Sequence, residues 1–228
     1  HSMPIVRVWA YKKIIRWMSN LSVSTIFLDY PVKDYFVSAG YSNPKKSTCV
    51  IGRTLSIEKK ASSVAGDTFH LLFIGVMNDE KDLKPIIDAL CEKKINNLSL
   101  SFLSKGIDKY GKELDKLKFV YQDVEIVNKF LERSEYDSAI TKADALILPY
   151  KSSYGVRFSA VLNDALSLGK KVLTIRLPQF EFYSKKYNAC SLYTNQYDAI
   201  EAIQRIMVSS PININELNKD YSFETKKE

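Results

Sequence analysis

The sequence predicts an α/β protein whose main part is a Rossmann-like, doubly wound parallel sheet, preceded by a partial α/β unit. From residue 69 onward, short apolar runs alternate with amphipathic segments of helical length, which is the pattern of successive βα units. Some runs are apolar throughout, for example Ala145-Leu146-Ile147-Leu148. Such strands occur where helices cover both faces of a sheet, so we predict a three-layer sandwich.

Residues 69–210 form the predicted main domain, and 211–228 form a C-terminal helix or tail. The predicted strands are 69–75, 97–103, 124–129, 144–148, 171–175 and 189–193. The predicted helices are 80–94, 108–118, 134–142, 158–168, 179–187 and 196–209.

The first 68 residues follow a different pattern. We interpret 1–3 as the remnant of a cleaved expression tag and 4–51 as the partial α/β unit. Residues 52–68 are polar, lack periodicity and are predicted to be an interdomain linker. The elements predicted in the partial unit are a basic amphipathic helix at 5–19, a strand at 24–28, a helix from Pro31 to Gly40 and a strand at 47–51.

Composition excludes several classes of protein. With 46% hydrophobic and 26% charged residues the chain is globular, and three widely spaced cysteines suggest neither a disulfide framework nor a zinc site. No apolar run is long enough to cross a bilayer, so we expect a cytoplasmic protein, or one peripheral at the inner face of the membrane. The net charge of +7 attracts polyanions in general, but no nucleic-acid-binding motif accompanies it, so nucleic acid is not an expected partner.

Histidine is scarce. Apart from His1 the chain contains only His70, which adjoins an apolar run, so we interpret His70 as a core or strand-end residue. This argues against Ser-His-Asp catalysis and against a histidine-ligated metal, and no metal site is predicted.

The strongest candidate site is the turn and helix start that follow the strand at 144–148. The first amides of a helix lack intrahelical partners and carry a partial positive charge, so Ser159 and the small Ala160 could hold a diphosphate. Arg157 could add a charge-assisted contact. The alternative, with equal weight, is that Ser159 only caps the helix and Arg157 is solvated.

The runs 143–150, 159–162 and 164–172 resemble the donor site of GT-B-fold glycosyltransferases, especially the retaining family-four type (glycosyl transferases group 1). The resemblance implies that the amides of Ser159, Ala160 and Val161 bind the nucleotide diphosphate and that Asp164 accepts ribose hydroxyls. Asp164 replaces the family's usual glutamate. Val156 stands where the family often has a second acid, which leaves the sugar-facing acid unassigned.

Two further loops extend the resemblance. Gly75 and Lys81 match the glycine and one cation of the family's diphosphate loop, while Val76 and Asp82 depart from it, so Arg157 or Lys105 is expected to assist Lys81. Lys81 is equally well explained as an exposed lysine in a first helical turn. Two other candidates each have an alternative. Phe130 could stack on the base, although its residue type favours a place in the core. Glu181 could lie behind the donor sugar or be an ordinary glutamate at a helix start.

The resemblance implies a hexosyltransferase that transfers a sugar from UDP-sugar or GDP-sugar to a saccharide or lipid-linked acceptor, in cell-surface polysaccharide or glycoconjugate synthesis. It implies no metal and no other cofactor, and no catalytic residue is identified. Most of the acceptor-side domain is expected to lie outside this chain. The basic helix at 5–19 either contacts an anionic membrane or packs within that domain. The alternative function is a non-catalytic nucleotide- or partner-binding Rossmann-like domain, which the departures at Val76 and Val156 favour.

Overall fold

The computed structural model describes residues 13–14, 16–18, 21, 24–49 and 68–221. The chain forms a small unit, His1–Thr54 with Val156–Phe158, and a large unit, Leu55–Gly155 with Ser159–Glu228. The interpreted tag remnant at 1–3 and nearly all of the predicted linker at 52–68 lie outside the described residues.

The small unit contains a parallel βαβ arrangement. Strand β1 (Thr25–Phe27) pairs in parallel with β2 (Ser47–Cys49), and helix α1 (Tyr30–Ser38) connects them. Pro31 stands in the first turn of α1, where its missing N–H removes no helical hydrogen bond. These three elements agree with the sequence prediction, and the described residues at 13–14 and 16–18 of the predicted basic helix are helical.

A parallel sheet is the centre of the large unit. Its strands are β3 (Phe69–Ile74), β4 (Leu98–Leu103), β5 (Val124–Val127), β6 (Ala145–Leu148), β7 (Lys171–Ile175) and β8 (Cys190–Tyr193). They lie in the order β5-β4-β3-β6-β7-β8, and every neighbouring pair is parallel. The six predicted strands are confirmed, and the doubly wound fold with them.

The helices of the large unit also follow the prediction. They are α2 (Lys84–Glu92), α3 (Gly111–Val120), α4 (Arg133–Lys142), α5 (Ala160–Ser167), α6 (Pro178–Tyr187), α7 (Gln196–Val208) and α8 (Ile214–Tyr221). The start predicted at residue 80 for α2 is wrong. The helix begins at Lys84, because Pro85 fits its first turn and Lys81 forms an antiparallel bridge with Tyr150.

Alternating strand residues supply two cores. Leu71 and Phe73 point into an apolar cluster that contains side chains of α2, α3 and α7. Leu72 and Leu146 are also fully buried and face the opposite side, where α4 and α5 pack on the sheet. The three predicted layers are therefore present. Helix α8 lies within 211–228, the range predicted as a C-terminal helix or tail, and it packs on α6.

The order of the strands places a switch point beside β3. The chain adds β4 and β5 on one side of β3, and then returns to add β6 on the other side. The loops that follow β3 and β6 therefore leave neighbouring strands in opposite directions. In open α/β sheets the crevice between two such loops is the usual ligand site.

Candidate functional site

The loops after β3 and β6 are joined to each other at the carboxyl edge of the sheet. Lys81 and Tyr150 form the antiparallel bridge between them. Two backbone hydrogen bonds flank it, from Asp82 N–H to the Pro149 carbonyl at 2.7 Å and from Lys151 N–H to the Glu80 carbonyl at 2.8 Å. These bonds hold Lys81 at the crevice. The sequence instead predicts that Lys81 lies in the first turn of a helix.

Three predicted residues converge at this crevice. Gly75, which directly follows β3, has a φ of +104°, a backbone conformation that residues other than glycine rarely adopt. A Cβ atom at Gly75 would lie 3.6 Å from Lys81 Nζ and 3.8 Å from Val161 Cγ2. Gly75, Lys81 and the first turn of α5 therefore border one small space.

Lys81 is a buried cation. It is only 7% exposed, and its Nζ donates to the Val76 carbonyl at 2.8 Å. Burial lowers the pKa of Lys81 to about 8, although the charge of Glu80 opposes this shift. In the described part of the chain, no carboxylate forms an ion pair with Lys81. The alternative of an exposed first-turn lysine is therefore wrong.

The start of α5 presents unused amides. Ser159 is the N-cap, and its Oγ accepts a hydrogen bond from Leu162 N–H at 3.2 Å. Tyr150 Oη lies 2.9 Å from the same Oγ, so the cap is held from two sides. Among the described residues, no acceptor bonds the N–H groups of Ala160 and Val161. The capping role of Ser159 is confirmed, and it leaves these two amides for a ligand.

A second part of the crevice lies at the ends of β3, β4 and β5. It is a cavity of about 200 Å³, which we name the Phe130 cleft, and it is lined by Gly75, Val76, Leu103, Ser104, Lys105, Lys129, Phe130, Leu131 and Tyr136. Phe130 is 68% exposed, so its interpretation as a core residue is wrong. Its ring is instead available to a planar ligand. Gly75 connects this cleft to Lys81.

Tyr136 lines the Phe130 cleft and connects Asp164 to it by a hydrogen bond. The sequence did not indicate Tyr136 as a site residue. Tyr136 Oη donates to Asp164 Oδ2 at 3.0 Å. Burial raises the pKa of Tyr136, and the charge of Asp164 raises it further, so the phenol stays protonated and orients the carboxylate. The sequence gave no local signal for Tyr136, because the contact joins α4 to α5.

Two predicted site residues stand apart from this group. Arg157 belongs with Val156 and Phe158 to the small unit, and its contact with a diphosphate stays a prediction. Glu181 does not line the Phe130 cleft. Its carboxylate pairs with Arg176 at 3.0 Å and lies 3.9 Å from Lys185, in a different cavity beside β8. The structure therefore does not bring Glu181 together with Gly75 and Phe130.

Solved structures with the same fold are glycosyltransferases. The lipopolysaccharide outer core galactosyltransferase WaaB in its apo form gives a TM-score of 0.63 at 16% identity, over 81% of this chain and 53% of WaaB. Anabaena HepE in complex with UDP gives 0.63 at 14% identity, over 94% of this chain and 65% of HepE. The chain has a GT-B glycosyltransferase fold.

Sucrose-phosphate synthase from Thermosynechococcus elongatus gives a TM-score of 0.62 at 15% identity, over 88% of this chain and 53% of the synthase. The chain thus spans between about half and two thirds of the length of these GT-B proteins. The sequence matches no family profile and no curated protein. The likeness therefore confirms the predicted fold, while substrates have to be argued from the site.

Two further structural findings concern metals and membranes. No group of three or more His, Cys, Asp or Glu side chains is placed to hold a metal ion in the described ranges. Among the same residues, no helix is both long and apolar enough to span a bilayer.

Proposed function

We propose that this chain is the donor-binding part of a glycosyltransferase and binds a nucleoside-diphosphate sugar in the crevice beside β3 and β6. The observation that carries the proposal is the convergence of Gly75, Lys81 and the first turn of α5. Each supplies one requirement for binding a diphosphate, namely close approach, positive charge and unpaired amides.

The diphosphate is expected between Lys81 Nζ and the N–H groups of Ala160 and Val161. A helix start carries about half a positive charge, which favours an anion there. Lys81 lies in a buried setting, where a charge interacts more strongly than it does in water. The same groups would stabilise the charge that develops on the leaving diphosphate, so no metal and no further cofactor is required.

The nucleoside is expected in the Phe130 cleft. The exposed ring of Phe130 offers a stacking surface for a base. The Asp164 carboxylate, oriented by Tyr136, is an acceptor for ribose hydroxyl groups. HepE was solved with UDP and with UDP-glucose, which supports a UDP-sugar as the donor, with a GDP-sugar as the second candidate.

The acceptor is proposed to be a saccharide or a lipid-linked saccharide, which would place a hexosyltransferase in polysaccharide or glycoconjugate synthesis in the cytoplasm. A helical segment of the small unit supports a lipid-linked acceptor at the inner face of the membrane. Its exposed apolar side chains follow the i, i+3, i+4, i+7 pattern of one helix face, and the basic residues Lys13 and Arg16 lie in the same segment. These side chains are Ile14, Trp17, Met18 and Leu21.

Calorimetric titration with UDP, UDP-glucose and GDP-mannose tests donor binding. Binding of UDP and UDP-glucose supports the proposal, and absence of binding by all three would sink it. Incubation of the protein with the bound donor and with lipid-linked or free saccharide acceptors, followed by product analysis, then tests transfer. If the full-length natural protein binds the donor but yields no product with either acceptor, it is instead a nucleotide-binding module.

A further inference from the structure

A second cavity runs along the edge strand β8, between α6 and α7. Its volume is about 260 Å³, near the lower end of the range of about 300–1,000 Å³ that is typical of small-molecule sites. We name it the edge cavity. Its lining includes four cationic side chains and one carboxylate, from Lys171, Arg176, Lys185, Arg205 and Glu181. It shares no lining residue with the Phe130 cleft.

Lys171, at the start of β7, is the most buried of these cations. It is 9% exposed, and its Nζ donates to Ser209 Oγ at 2.5 Å. Within the described ranges it forms no ion pair with a carboxylate. An ammonium group has three donors, so two remain for another acceptor. A buried cation without a counter-charge is unfavourable, and an anion in the edge cavity would remove that cost.

Arg205 lies on α7, one helical turn before Ser209, which directly follows the helix and contacts Lys171, so Arg205 and Lys171 line the same side of the edge cavity. Its Nη2 donates to the Leu192 carbonyl at 3.0 Å, and its Nε lies 3.3 Å from Ser191 Oγ. It too forms no ion pair with a carboxylate in the described part of the chain. The guanidinium keeps N–H donors beyond these two bonds.

The hydroxyl groups of Ser191 and Ser209 hold both cations in place. Ser191 Oγ donates to the Ala202 carbonyl at 2.7 Å, and Ser209 Oγ donates to the Ile206 carbonyl at 3.2 Å. Since each hydroxyl proton is used in this way, each oxygen is left as an acceptor toward Arg205 or Lys171. The two cations are therefore positioned before any ligand binds.

Glu181 pairs with Arg176 and Lys185, and among the described residues no carboxylate pairs with Lys171 or Arg205. Arg176 and Lys185 are largely exposed. With four cationic side chains and one carboxylate, the edge cavity has an excess of about three positive charges, two of which belong to the buried Lys171 and the exposed Arg205. A phosphate monoester carries up to two negative charges near neutral pH and three acceptor oxygens, which suits one ammonium and one guanidinium.

We propose that the edge cavity binds a small soluble phosphate monoester, whose phosphate group is held by Lys171 and Arg205. This site is separate from the proposed donor site. It would give the protein a second, anionic small-molecule ligand, independent of the nucleotide.

Titration with inorganic phosphate in a chloride buffer tests the site. The double variant Lys171→Gln/Arg205→Gln is expected to bind phosphate at least tenfold more weakly than the wild type. The matched control Lys94→Gln/Lys118→Gln removes two exposed lysine charges and should stay within twofold of the wild type. An unchanged affinity in the first double variant, or an equal loss in the control double variant, would overturn the proposal.

An NMR titration of the wild type covers the case in which the double variant does not fold. Inorganic phosphate should shift the backbone amide signals of Ser191, Leu192 and Ser209, and should leave that of Gly75 unchanged. Shifts confined to Gly75 and its neighbours would contradict the edge site. Vesicles of phosphatidylcholine with phosphatidic acid test a lipid source. Sedimentation with them that requires Lys171 and Arg205, without binding of free phosphate, would overturn the assignment to a soluble ligand.

Discussion

Replacing Lys81 with Met should stabilise the protein while weakening the binding of UDP. Burial lowers the pKa of Lys81 from 10.5 to about 8. At about 1.4 kcal/mol per pKa unit, the charged side chain costs the folded state about 3 kcal/mol at pH 7. The variant loses the bond to the Val76 carbonyl, which is worth about 1 kcal/mol. We therefore expect a net gain of about 2 kcal/mol in the free energy of unfolding at pH 7.

The pH dependence gives the sign of this effect. Below pH 8, Lys81 is charged in both the folded and the unfolded state, so the wild type carries the full penalty. Between the folded pKa of about 8 and the unfolded value of 10.5, the unfolded chain holds more protons, and the wild type gains stability as the pH rises. The advantage of the variant should therefore shrink between pH 8 and pH 10.5, where Lys81 alone titrates in the difference.

Urea unfolding of wild type and Lys81→Met at pH 7, 8, 9 and 10 measures this difference. The control is Lys94→Met, an exposed lysine for which neither a stability gain nor a pH-dependent difference is expected. A variant that is less stable than the wild type at pH 7, or an advantage that does not change with pH, would refute the reasoning about the buried charge.

The same variant should bind UDP about 10- to 150-fold more weakly at pH 7, because a hydrogen bond to a charged group is worth about 1.5–3 kcal/mol. In the wild type, UDP affinity should fall about tenfold from pH 7 to pH 9 as Lys81 loses its proton. Calorimetry at both pH values measures this, and an unchanged affinity in Lys81→Met would remove Lys81 from the site.

Substitutions at three further positions test other parts of the crevice. Phe130→Ala should weaken UDP binding by about 1–3 kcal/mol with little change in unfolding free energy. The control Phe119→Ala, at a still more exposed ring, should change neither, and calorimetry with urea unfolding measures both. Ser159→Asp should keep the helix cap but repel the diphosphate, so UDP binding should fall while the melting temperature stays within a few degrees. Ser159→Ala should instead lose about 1–2 kcal/mol of stability, since it removes the cap and the contact with Tyr150. Gly75→Ala should cost about 1–3 kcal/mol in urea unfolding, since its φ of +104° strains any side chain, and equal stability of variant and wild type would contradict the described backbone.

The fold was predictable because its signals are local. Each strand of the large unit is a short apolar run, and turns or helix starts separate the runs, so period and length alone identify the βα units. Parallel strands then bring their carboxyl ends to one edge, which is why Gly75 and Val161, far apart in sequence, were expected in one site.

The remaining site features depend on tertiary contacts. The sequence left Lys81 open between a diphosphate ligand and an exposed lysine, because nothing in its own segment shows that the loop before α2 bridges to Tyr150. Phe130 looked like a core residue by type, yet the β5–α4 loop leaves its ring exposed. Glu181 matched a family position, but its carboxylate turns to Arg176 and Lys185 in the edge cavity. In each case contacts with another element determine where the side chain lies.

A crystal structure of the protein with UDP bound tests the central claim most directly. The proposal predicts diphosphate oxygens within about 3 Å of Lys81 Nζ and of the N–H groups of Ala160 and Val161, with the uracil ring against Phe130. UDP bound elsewhere on the molecule, or no bound UDP at a saturating concentration, would contradict it.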